Sequence, residues 1–228
     1  PEYSVVNHFI EVPLYTVMAE LIGFLAAFHI HIFYAVRDFC EKVKLHPYLK
    51  PVAGAFCVGI ISIFFPQIMG IGYGHIDDVL HNEGVLWVTF CLVFLKIFAT
   101  AITLGSGGAG GVFAPALFIG AMAGGTFGNV VNKLIPTLTS TPGSYATIGI
   151  GAFLAASTHA PMTAIFLLFE ITGNIIGTEL IVIQNSVPAF FYFDFYFALF
   201  VRVLRDIRQH VINVFHFPYL LQRFFQVV

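Results

Sequence analysis

Apolar runs, each closed by a short polar or glycine- and proline-rich segment, set the pattern of this chain. Residues 12–36 form the first run, long enough to cross a bilayer, since about 20 residues span the hydrocarbon core. Glu20, His29 and His31 interrupt it. The two histidines are two positions apart, so they do not share a helical face and do not read as a metal site. A basic stretch follows, RDFCEKVKLHPYLKP, carrying Arg37, Lys42, Lys44 and Lys50. Residues 52–70 form the second predicted span, closed by Pro66 and Gly70. The next segment, GIGYGHIDDVLHNEG, carries Asp77, Asp78 and Glu83 and no Lys or Arg, and is read as a loop. The charge asymmetry puts the basic loop on the cytoplasmic side and the acidic loop on the other.

Residues 84–104 form the third span, with Lys96 inside it. The chain then loses almost all bulk: five of the seven residues from Gly105 to Gly111 are glycine, with Ser106 and Ala109 between them. Pro115 and an apolar helical pattern over residues 116–131 follow, and the predicted helix runs over 115–134. Proline in the first turn of a helix loses no hydrogen bond, because its N–H would be unpaired there. Irregular backbone between two membrane helices persists only where it is buried in protein or lines a water-filled cavity. A helix N-terminus in that setting presents free N–H groups and a partial positive charge, which makes a candidate anion site built from backbone. Gly120, Gly124 and Gly128 recur at spacing four and predict one helix face open to close approach by a neighbour.

Beyond the polar stretch 136–144, residues 145–157 are too few to span alone. His159-Ala160-Pro161 breaks the chain, and 162–172 forms a second short helix. Half-length helices joined at a proline are found in transporters. Another apolar run starts at 175–183. From about residue 184 the texture changes to aromatic and basic, with Arg202, Arg205, Arg208 and Arg223, and fits either a last span or an amphipathic surface helix.

Composition supports an all-α membrane protein with tilted and broken helices. The chain has 228 residues, 58% hydrophobic and 10% charged, against about 25% charged in soluble domains. A formal net charge of −2 gives no basic surface for nucleic acid. Cys40, Cys57 and Cys91 are far apart and read as small buried hydrophobes, not a disulfide framework or a metal site. The opening PEYSVVNHFIEVP has neither a start Met nor a basic leader, and reads as cut from something longer. Residues 105–110 also fit G-x-G-x-x-G, but a dinucleotide fold needs a preceding strand and an acidic residue about 20 positions on, and 125–135 contain none. No motif brings a nucleophile, a base and an orienting group together, so no enzyme is expected and no cofactor is implied.

At GSGGAGGVFAP the sequence resembles the CLC family of chloride channels and chloride/proton antiporters. PEYSVVNHFIEVPLY, HPYLKPVAGAFCVGIISIFFPQIMGIGYGHID, LGSGGAGGVFAPALFIGAMAGGTFG and ATIGIGAFLAASTHAPMTAIFLLFEITGN look like consecutive family blocks, covering roughly residues 1–183. The resemblance implies one half of an inverted-repeat pore, the C-terminal half. Its GxFxP block is Gly111-Val112-Phe113-Ala114-Pro115, whose backbone amides, those of Val112 and Phe113 above all, would bind the transported chloride. It also implies a homodimer in the cell (inner) membrane. Two family blocks are missing: Gly-Ser-Gly-x-Pro, which would supply a serine hydroxyl, and Gly-x-Glu-Gly-Pro, which would supply the gating glutamate. The family's last helix begins with a tyrosine that reaches the anion, and Tyr192 and Tyr196 are the nearby candidates in the divergent 184–228 tail. An aberrant reading frame would account for that divergence.

Gly110 and Ser106 are further candidates near the anion. Lys96 is read either as a pathway residue or as a lysine that snorkels or pairs within the bundle. Glu20 and Glu170 are read as structural. Two other functions stay open: a non-conducting half-protein that needs a partner chain, and an unrelated secondary transporter for an organic anion.

Overall fold

The computed structural model describes residues 11–44, 46–136 and 139–172. The described residues form seven helices in chain order: α1 (Glu11–Lys42), α2 (Leu49–Phe64), α3 (Tyr73–Leu80), α4 (Leu86–Gly105), α5 (Phe113–Leu134), α6 (Pro142–Thr158) and α7 (Pro161–Thr172). A 3-10 turn, Pro66–Ile68, follows α2. Three of the described helices are long and apolar enough to cross a membrane: Pro13–Lys42, Leu86–Gly105 and Phe113–Leu134.

Helix α6 is the centre. Every residue from Gly143 to Ala156 is buried, which explains why its sequence shows no polar face: a helix enclosed on all sides has no need of one. Helices α1, α5 and α7 pack around it, and α4 packs against α1 and α5. On α1 the buried face is Tyr15, Met18, Ile22 and Ala26, spaced three or four residues apart as a helix stripe requires. Tyr15 stacks obliquely on Tyr145 of α6 with ring centroids 4.7 Å apart.

The predicted glycine face closes the α5–α6 contact. A Cβ on Gly120 would lie 2.6 Å from the Gly149 carbonyl oxygen, and one on Gly128 would lie 2.8 Å from the Tyr145 Cβ. A Cβ on Gly124 would run into the Tyr145 carbonyl. Between membrane helices, where lipid is as apolar as the partner, such backbone approach is a main source of attraction. Thr126 adds an interhelical bond by donating to Thr89 Oγ1 on α4 at 3.0 Å.

Several boundaries differ from the sequence expectation. Helix α1 does not stop near residue 36 but carries the first basic residues on helical turns to Lys42, with Arg37 and Glu41 paired at 3.0 Å on an exposed face. The second span, expected over 52–70, is a 16-residue helix that ends at Phe64, since the residue before Pro66 is driven out of helical geometry. The acidic segment, read as a loop, contains α3. Ile76 and Val79 of α3 are buried while His75, Asp77 and Asp78 face outward. Helix α5 starts at Phe113, two residues before Pro115, which leaves the proline still inside the first turn. The cysteines, expected to be buried, are not: Cys57 and Cys91 lie off the buried faces of α2 and α4 and are exposed, and Cys40 is half-buried.

Candidate functional site

The glycine-rich connection between α4 and α5 divides into two parts. Its first part is packed. The Gly107 N–H donates to the Leu104 carbonyl and the Gly108 N–H to the Thr103 carbonyl, each at 3.0 Å. Gly107 has φ +90°, a left-handed conformation that glycine adopts without strain. A Cβ on Gly108 would sit 2.6 Å from the Thr103 carbonyl oxygen. The second part is open: a Cβ on Gly111 would meet nothing within 4 Å. Packing therefore accounts for glycine at 108 and not at 111.

The backbone donors follow the same division. The first bond into α5 runs from the Ala116 N–H to the Val112 carbonyl at 3.2 Å. No side chain caps this helix. Among the described residues, the N–H groups of Gly110, Gly111, Val112, Phe113 and Ala114 donate to no backbone carbonyl, and Pro115 has no N–H to place. Five consecutive amides are left at a helix N-terminus, where the aligned peptide dipoles give roughly half a unit of positive charge.

Three of these five residues, Gly110, Gly111 and Ala114, border a cavity of about 600 Å³, and Val112 and Phe113 are not in its lining. Gly110, Gly111, Ala114 and Pro115 form one wall, and Gly59 and Ser62 of α2 another. Lys96, Thr100 and Thr103 of α4 complete it with the turn at 68–71. Among the described residues no acidic side chain lines it. Lys96 is 3% exposed and does not snorkel: its Nζ donates to the Ile68 and Gly70 carbonyls, each at 2.8 Å. The same Nζ lies 4.8 Å from the centre of the Phe118 ring on α5. One lysine thus ties α4 to the turn after α2 and to α5, and among the described residues it is the sole charged side chain in the cavity wall.

The candidate anion residues are distributed as follows. Gly111, Ala114, Pro115 and Gly110 reach the cavity wall, while Val112 and Phe113 stand at the same turn with side chains 44% and 41% exposed. Ser106 is buried outside the wall; its hydroxyl donates to the Thr103 carbonyl at 3.0 Å, and its side chain packs on Gly54 of α2. Tyr192 and Tyr196 lie outside the described residues. Glu20 and Glu170 are on exposed helix faces. His29 is buried against the Phe153 ring at 5.8 Å, whereas His31 points outward. Ser62, Thr100 and Thr103 were not singled out from the sequence. The available signal is spacing, since Lys96, Thr100 and Thr103 fall on one face of an otherwise apolar helix.

An integral membrane protein with a cavity at a helix break is the class that this fold and site define. The sequence profile of the family described as "Voltage gated chloride channel" matches residues 2–183. With most of its length matched, the chain belongs to that family. A putative chloride channel protein ClcB-like of Ralstonia nicotianae is 42% identical over 137 residues, 60% of this chain and 32% of that protein. The chloride channel protein CLC-f of Arabidopsis thaliana is 33% identical over 72% of this chain and 23% of its own length. An H(+)/Cl(-) exchange transporter ClcA of Vibrio campbellii is 37% identical over 51% of this chain and 25% of its own length. The chain thus spans a third or less of the relatives it matches. Among solved structures, a eukaryotic CLC transporter superposes with TM-score 0.65 at 22% identity, covering 82% of this chain and 34% of that one. A CLC-type fluoride/proton antiporter gives TM-score 0.67 at 18% identity, covering 84% of this chain and 46% of that one. At these identities the superpositions show the fold.

Proposed function

We propose that the chain forms one side of a chloride pathway, with the anion held by backbone amides at the N-terminus of α5. The observation that carries this reading is the run of five amides from Gly110 to Ala114, without backbone acceptors, beside a cavity whose described wall is free of carboxylates. Amide dipoles replace part of the ion's hydration and favour its negative charge, yet they carry no full charge that would trap it. The exposed side chains of Val112 and Phe113 mark where the remaining wall belongs, either further chain or a partner chain. The relatives named as chloride channels and as a proton/chloride exchanger support chloride as the ion and a membrane as its setting.

The test is chloride binding by isothermal calorimetry on the full-length protein in detergent. Phe113→Pro removes one donor at the first helical position but disfavours the helical φ −84°, ψ −23° of Val112. The α-hydroxy acid at 113, which removes the donor without the ring, is therefore measured beside it. Weakened chloride binding with an intact fold is the expected result. An unchanged affinity would overturn the backbone-amide assignment. Displacement of chloride by a small carboxylate, at concentrations where bromide and nitrate fail, would favour the organic-anion reading instead.

A further inference from the structure

Three hydroxyls line the cavity, and two of them are already engaged. Ser62 donates to the Gly59 carbonyl at 2.7 Å, and Thr103 donates back to the Ala99 carbonyl at 2.8 Å. Thr100 differs. It is 7% exposed, it lines the cavity, and among the described residues its hydroxyl makes no hydrogen bond. A threonine inside a helix ordinarily turns its hydroxyl onto the carbonyl one turn back, as Thr103 does. At Thr100 that carbonyl belongs to Lys96, and the bond is absent. Its oxygen is not sealed off in the protein but opens onto the cavity, so the bond it does not make inside the helix is available to a partner that enters there.

We propose that Thr100 donates its hydroxyl proton to the anion in this cavity, as a side-chain ligand from α4 in the cavity that the start of α5 and Lys96 also line. This rests on the anion reading given above and deepens it. The ligand class is a small inorganic anion that accepts hydrogen bonds: chloride binds more tightly than iodide, whose larger and softer surface accepts a hydroxyl proton less well. Lys96 is one helical turn before Thr100 on the same face, with two protons committed to carbonyls. It adds positive potential without direct contact.

The test compares Thr100→Val, which keeps the shape and removes the donor, with Thr100→Ser, which keeps the donor. Both are made in the full-length protein. Chloride and iodide affinities are measured by calorimetry, and melting temperatures in detergent with and without chloride. Thr100→Val is expected to lose roughly tenfold or more in chloride affinity, the scale of one hydrogen bond to a charged group, and to narrow the chloride-over-iodide preference. Thr100→Ser is expected to stay within about threefold of the parent. In chloride-free buffer Thr100→Val should melt no lower than the parent, because no hydrogen bond within the protein is lost, and its chloride-induced rise in melting temperature should shrink. If the parent binds chloride and Thr100→Val binds it equally well, the proposal fails while the amide reading stands. Equal losses in Val and Ser would also overturn it, because side-chain shape rather than the donor would then set the affinity. So would a lower melting temperature of Thr100→Val without chloride, because the hydroxyl would then be bonded within the protein. A parent that binds no halide would overturn the anion reading and this proposal with it.

Discussion

Gly120→Ala sets two effects of opposite sign against each other. Replacing glycine by alanine in a helix interior is worth about 1 kcal/mol in favour of folding, from backbone entropy. At Gly120 the new methyl would lie 2.6 Å from the Gly149 carbonyl oxygen and 2.8 Å from the Ile150 Cα. Both neighbours are backbone, so neither can rotate away. Ordinary carbon contacts lie at about 3.5–4.0 Å, so α5 and α6 must part by about 1 Å. A gap of that size forfeits a quarter to a half of each dispersion contact it opens. It would open along the whole glycine face, since Gly124 and Gly128 touch the same helix. Overpacking costs about 1–3 kcal/mol before that loss is counted, so separation outweighs propensity. We expect a net destabilisation of about 1–3 kcal/mol. Gly59→Ala supplies the contrast, because Gly59 is helical, exposed, and a methyl added there would meet nothing within 4 Å. There the propensity gain stands alone, and stability should rise by about 0.5–1 kcal/mol. The assay is equilibrium unfolding of both variants in one detergent, followed by helical circular dichroism. A Gly120→Ala variant as stable as Gly59→Ala would refute the close α5–α6 packing.

Other outcomes follow from single contacts. Replacing residue 113 by its α-hydroxy acid exchanges the amide N–H for an ester oxygen and keeps the side chain; chloride affinity should fall roughly tenfold or more, read by calorimetry. Lys96→Met leaves the buried Ile68 carbonyl and the part-buried Gly70 carbonyl without their donor and should cost about 1–3 kcal/mol in unfolding free energy, whereas a surface lysine would cost under about 0.5. The Asn82 side chain accepts from the Gly143 N–H at 2.8 Å at the start of α6, and Asn82 has φ +66°. Asn82→Ala loses the bond and strains the backbone, for about 1–2 kcal/mol, while Asn82→Gly loses only the bond, and chemical denaturation separates the two.

Much of the arrangement was legible in the sequence because it is local. The three long helices follow from long, predominantly apolar runs, the α5–α6 contact from glycines at spacing four, and the helix break from glycines ahead of Pro115. Helix α3 was hidden because His75, Asp77 and Asp78 dominate an eight-residue segment. Its apolar signal is the pair Ile76 and Val79, which settle against α5 and α6 only once those helices are placed. The role of Lys96 was illegible for a similar reason. Its acceptors are two main-chain carbonyls 26 and 28 residues away, and main-chain carbonyls leave no mark in the side-chain pattern. Thr100 shows the limit most clearly. Its position one turn after Lys96 can be read, but that its hydroxyl is unused while that of Thr103 is used cannot.

A site made from backbone is only as fixed as the helix that carries it, and here the helix is held on three sides. Helix α6 meets α5 along the glycine face, and Thr126 bonds to Thr89 on α4. Val79 of α3 fills the space where Gly125 has no side chain. The facing wall is held separately, by Lys96 on the 68–70 carbonyls. Both walls are braced by these contacts, which would hold the amides in one orientation. Donors that do not reorganise give most of their stabilisation to a charge that enters, and they reclaim little when it leaves. For transport that is the useful compromise, because an ion must be bound well enough to shed water and loosely enough to move on. Adaptation to ion size would then fall to side chains at the wall, which is why a free threonine hydroxyl, rather than the amide run, is where selectivity among halides should be sought.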